Sequence, residues 1–124
     1  MPTVNPNITF IGNDAVLFSW TLTTTDFDGA PVGPNHADYV DRTVQAVGTF
    51  GGGTVNFQGS NELEPASNWV NAANQQGTVI ALTAAGQQSV GHLNRLQRPL
   101  LSGSTGATVT VSMVARRPRS GQAV

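Results

Sequence analysis

The 124-residue chain is predicted to be all-β, a jelly-roll or β-sandwich of about seven to eight strands with a flexible N-terminal arm and a basic C-terminal tail. Three observations predict it. Apolar and polar residues alternate with a period of two through Ala15 to Thr23, Arg42 to Gly59 and Ala107 to Ala115. Clusters of Gly, Pro, Asn and Asp separate these runs, as tight turns require. No segment carries the longer period of an amphipathic helix.

The elements follow in chain order. Residues 1–7, containing Pro and Asn, read as an arm, and the core of the single domain is expected over residues 8–115. Ala15 to Thr23 places Val16, Phe18, Trp20 and Leu22 on one face, which should enter the core. Thr24 to Tyr39 is a turn-rich excursion with Asp26, Asp28-Gly29, Pro31 and Gly33-Pro34, a natural contact loop. Arg42 to Gly59 reads as a β-hairpin closed by Gly51-Gly52-Gly53. Asn61 to Asn74 is a second polar excursion anchored by Trp69.

Thr78 to Leu82 forms a short strand, and Thr83 to Gly91 a brief helical turn capped by Thr83. Asn94 to Leu101 is a further strand, which Pro99 should hold at an edge or irregular position because it lacks a backbone donor. In the last strand Val109, Val111, Met113 and Ala115 face one way and Thr108, Thr110, Ser112 and Val114 the other. Residues 116–124 form the basic tail. The two sheets should close around Phe18, Trp20, Val55, Phe57, Val109 and Val111.

Charged residues make up only 10% of the chain, against about 25% in an average domain, so Thr, Ser, Asn, Gln and Gly must cover much of the exterior. Amides and hydroxyls are cheaper to bury in a contact than charges are, which favours assembly over a free monomer. Lysine is absent and all six cations are Arg, the side chain better suited to fixed contacts. Seven acids and Arg42 precede residue 65, net −6, and five Arg follow, net +5. Either the two halves form complementary patches, or strands from both intermingle and cancel the asymmetry.

Cysteine is absent, so no disulfide supports the fold. No apolar run approaches the roughly 18 residues of a membrane span, and the first residues lack a secretory pattern, so synthesis in the cytoplasm is expected.

No catalytic, cofactor or metal site is expected. His36 and His92 belong to no metal-binding motif, and Asp26 and Asp28 lack the remaining positions of a calcium loop. Glu62 and Glu64 have no evident apolar pocket to separate their pKa values for glycosidase chemistry. Gly51-Gly52-Gly53 lacks the Lys and Ser/Thr of a phosphate loop. Arg116, Arg117 and Arg119 are too few, in a chain of net charge −1, to predict nucleic-acid binding. Trp69 is open to three roles: loop anchor, interface anchor or sugar platform.

The runs VQAVGTFGGGTVNFQGSN, NW, GTVIALTAAG and LQRPLLSGSTGATVTVSMVARR resemble a group of short β-rich virion proteins of tailed bacteriophages and prophages. The matching features fall at Gln58 to Asn61, Trp69, Thr83 to Gly86, Arg98-Pro99 and Thr108 to Arg117, within residues 44–117. The chain looks most like a capsid cement or decoration protein. That resemblance implies a jelly-roll protein on the capsid exterior that clamps neighbouring capsomers. The partner it implies is the major capsid protein, with a homodimer, or else a trimer, as the assembled form. Candidate contacts are Asp26, Asp28, Asp38, Asp41, Trp69, Arg116, Arg117 and Arg119. A tail, baseplate or head-completion component and a carbohydrate-binding β-sandwich are the alternative readings.

Overall fold

The structure is a computed structural model that describes residues 3–32, 39–63, 66–91 and 94–117. Asp38, Arg119, both histidines and Glu64 lie outside the described residues. Among those described there is no helix, and the strands are β1 (Thr3–Val4), β2 (Asn7–Ile11), β3 (Ala15–Thr23), β4 (Asp28–Gly29), β5 (Asp41–Thr49), β6 (Thr54–Ser60), β7 (Val70–Asn71), β8 (Ala81–Leu82), β9 (Gly86–Ser89), β10 (Leu96–Ser102) and β11 (Thr108–Arg116). These eleven exceed the seven to eight strands expected, and four of them are two-residue pieces.

The strands form two packed sheets. Sheet A has the order β1-β4-β10-β6-β7, with β8 also paired to β6, and sheet B the order β2-β3-β11-β5-β9. Alternation supplies the core as expected. Val16, Phe18, Trp20 and Leu22 from β3 and Val109, Val111, Met113 and Ala115 from β11 are buried against Val55 and Phe57 of β6.

The segment Arg42 to Gly59 is not a hairpin. β5 pairs with β11 and β9 in sheet B, whereas β6 pairs with β10, β7 and β8 in sheet A. The three glycines carry the chain across the sandwich as an arch. Gly51, at φ 57°, lies so close to the Thr105 carbonyl that any Cβ would collide with it. Alternation and a glycine turn say that two strands are joined, and both outcomes satisfy that pattern.

Three further expectations change. The N-terminal arm is structured: β1 pairs in parallel with β4, and the chain then crosses at Asn5-Pro6 to place β2 beside β3 in the other sheet. The helical turn expected at Thr83 to Gly91 is instead β9, paired to β5. Pro99 lies in an interior strand, between β4 and β6. Gln97 and Leu101 donate their amides to Val32 and Phe27 on the β4 side, so the missing donor of Pro99 falls on that same side. There β10 and β4 share the single register pair Leu100↔Asp28, and Gly29 lets its backbone approach the Pro99 ring and Trp20. A Cβ at Gly29 would sit 2.6 Å from that ring.

Arg42 is buried too. It sits on the inward face of β5, where its Nη1 donates to Oε1 of Gln97 on β10 and its Nε donates to the Tyr39 carbonyl at 2.7 Å. The core therefore contains a polar link between the two sheets. Burial lowers the Arg42 pKa from its ordinary value, yet a guanidinium keeps its proton at any physiological pH.

Candidate functional site

The outer surface of sheet A gathers polar groups around Arg98. On β10 the inward residues Gln97, Pro99 and Leu101 alternate with Arg98, which points outward opposite Gln58 of β6. Its Nε donates to Gln58 Oε1 at 3.1 Å, and its Nη1 lies 3.6 Å from Asp28 Oδ2. The guanidinium also lies 4.2 Å from the centroid of the Trp69 ring. Burial lowers the pKa of Arg98, and Asp28 opposes that shift. Two of the predicted contact residues, Asp28 and Trp69, are thus brought together by Arg98, which the sequence marks as part of an Arg-Pro strand but not as a contact.

This cluster borders a cleft of about 250 Å³, lined by Thr3, Asp28, Pro31, Ala66, Trp69 and Arg98 among others. Trp69 is half-buried and one ring face is taken by Arg98, which halves the platform a sugar would need. The loop before it is folded by Glu62, whose carboxylate accepts the Ser67 and Asn68 amides, both at 2.8 Å, and the Asn68 side chain at 2.7 Å. The Asn68 side chain and those two backbone amides hold the Glu62 pKa below its ordinary value.

The remaining predicted contacts are dispersed. Asp26 closes a turn in which its amide is held by the Thr23 hydroxyl. Asp41 lies at the opposite end of β3 and β11, paired in register with Arg116. A nine-residue strand, about 27 Å, separates these ends, so the acids of the first half do not form one patch. Arg117 places its guanidinium 5.4 Å from the Tyr39 ring centroid. Asp28 of the first half thus meets Arg98 of the second, and Asp41 stands in register with Arg116, so strands from the two halves intermingle.

The outer face of sheet B is the larger feature, and it is uncharged over four consecutive rows. Pairing aligns Thr9–Leu17–Val114–Thr43–Ser89 and Asn7–Ser19–Ser112–Gln45–Gln87 across all five strands. Thr21–Thr110–Val47 and Thr23–Thr108–Thr49 continue it. Among the described residues of these strands, charge enters this face at its end, with Asp41 and Arg116. Strand and residue spacings give it dimensions of roughly 20 by 20 Å. One edge of the same sheet, β2, is exposed at every residue.

No protein-family model, curated protein or solved structure matches this chain.

Proposed function

We propose that this chain is a structural virion protein, a cement or decoration protein that binds the outside of a tailed-phage capsid and clamps neighbouring capsomers. The observation that carries the reading is the uncharged Thr/Ser/Gln/Val face of sheet B. Its hydroxyls and amides can exchange water for protein partners without stranding a charge, as the centre of a stable interface requires. The face, about 400 Å², is half of what each partner contributes to a standard interface, so a homodimer presenting two such faces suits a clamp. The major capsid protein is the partner this reading assigns.

A jelly-roll fold is part of the proposal. What supports it is the nested pairing of β3 with β11, β4 with β10, and β5 with β9, and of β6 with β7 and β8 laid end to end. That is the order made by wrapping one long hairpin into two sheets, an architecture common in viral shells. The mechanism is linkage. A protein that binds only the assembled shell stabilises it by mass action, and two linked contacts reinforce one another through effective concentration.

Cryo-EM of the intact particle tests the assignment. Hundreds of copies on the shell exterior are expected. A few copies at a vertex or in the tail would replace this reading with that of a tail, baseplate or head-completion component.

A further inference from the structure

We propose that β2 is the homodimer interface, with two copies of the chain pairing their β2 strands antiparallel about a two-fold axis at Thr9. The inference deepens the homodimer in the reading above and rests on it for self-association, but not for capsid binding. Among the described residues the sheets end in β1, in β7 and β8 laid end to end, in β2 and in β9, and of these β2 is the longest at five residues. It carries no charge and no proline of its own, the devices by which natural edge strands avoid pairing.

Register explains why a second copy fits. β2 aligns Ile8 with Phe18 and Phe10 with Val16, so both side chains point to the side that sheet A covers. They nevertheless remain 47% and 63% exposed. A two-fold axis normal to the sheet keeps each residue on its own side, so facing residues must be an even number of positions apart. Centred on Thr9, the pairing sets Ile8 against Phe10 of the partner subunit, Phe10 against Ile8 of the partner subunit, and Asn7 against Ile11 of the partner subunit. All five residues pair, and four apolar side chains meet on one side. A shift of the axis to Ile8 brings Pro6, which has no amide hydrogen, into the ladder, and a shift to Phe10 brings in Gly12 at φ 67°. The apolar pattern is therefore complementary to itself in one register. The contact is small, below the roughly 1,200 Å² of a tight complex, so exchange at micromolar concentrations is expected.

The chain has no cysteine, so a Thr9→Cys variant reports on this register alone. Directly opposed residues in an antiparallel ladder have Cα atoms about 4.5–5.5 Å apart, within reach of a disulfide. Under mild oxidation Thr9→Cys should run as a covalent dimer, while Ile11→Cys, whose two copies lie about 14 Å apart, should stay monomeric. In light scattering at about 100 µM the unmodified chain should show twice the mass of 12.9 kDa. The double variant Ile8→Lys/Phe10→Lys should be monomeric, and Ile8→Lys/Phe10→Glu, which sets opposite charges face to face, should regain the dimer. A stable dimer in which Thr9→Cys does not crosslink, or crosslinks no better than Ile11→Cys, overturns the β2 interface while leaving self-association standing. A monomer at 100 µM overturns both. Neither result touches capsid binding, which is measured separately.

Discussion

The guanidinium of Arg42 on β5 donates to the side-chain oxygen of Gln97 on β10, joining the two sheets through the interior of the sandwich. Both residues are buried, and the same guanidinium holds the Tyr39 carbonyl. Charge inside a core is costly unless its hydrogen bonds are satisfied, so each partner depends on the other.

Removing one partner should therefore cost more than removing both. Gln97→Leu leaves a buried cation with one acceptor fewer, and Arg42→Met leaves a buried amide oxygen without this donor. Each should lower unfolding free energy by about 2–4 kcal/mol, the charge-stranding Gln97→Leu the more. Arg42→Met/Gln97→Leu should recover part of the loss, giving a coupling of at least about 1 kcal/mol in a denaturant double-mutant cycle.

The arch at Gly51-Gly52-Gly53 predicts a position-specific glycine effect. Both Gly51 and Gly52 have positive φ, but a Cβ at Gly51 runs into the Thr105 carbonyl while one at Gly52 meets open space. Gly52→Ala should cost about 1 kcal/mol, from the backbone conformation alone. Gly51→Ala should cost about 1–3 kcal/mol more, since the overlap is with backbone. Urea unfolding of the two variants checks this.

Acid should open the loop that presents Trp69. The folded pKa of Glu62 is depressed, so its contribution is complete above the ordinary value of 4.5 and is lost as pH falls through the lower folded value. The protection of the Ser67 and Asn68 amides against exchange, taken relative to their intrinsic rates, should fall over that window, and Trp69 fluorescence should change with it. Glu62→Gln should remove the pH dependence of that protection at both amides.

How much of this was legible in the sequence depends on the range of the signal. The strand Ala15–Thr23 and the apolar face of Thr108–Arg116 are local patterns, and the structure places both as expected. Alternation reads the arch as a hairpin because the pattern is the same whichever sheet the next strand joins. β2 does not stand out in the sequence because its alternation, Asn7 to Phe10, is short and follows directly on the Pro- and Asn-containing arm. Pro99 pointed rightly to an irregular position and wrongly to an edge, since a break in pairing with β4 serves as well. The role of Arg98 as a centre is not legible in the sequence because its partners Asp28, Gln58 and Trp69 come from three separate segments, and proximity of that kind is created only by the sheet. The uncharged face of sheet B was foreshadowed by composition, but its concentration on one surface needed the strand register.

The central claim is that this face glues the chain to a capsid and so holds the shell together. The most direct measurement is the thermal rupture temperature of three particles: complete capsids, capsids lacking the protein, and capsids supplied with a Ser112→Lys variant. Ser112 lies in the middle strand of the face, between Ser19 and Gln45, where a lysine would bury an unpaired charge on docking. The complete capsids should rupture at the highest temperature, with the Ser112→Lys particles close to those lacking the protein. Equal rupture temperatures for complete and lacking capsids would contradict the account.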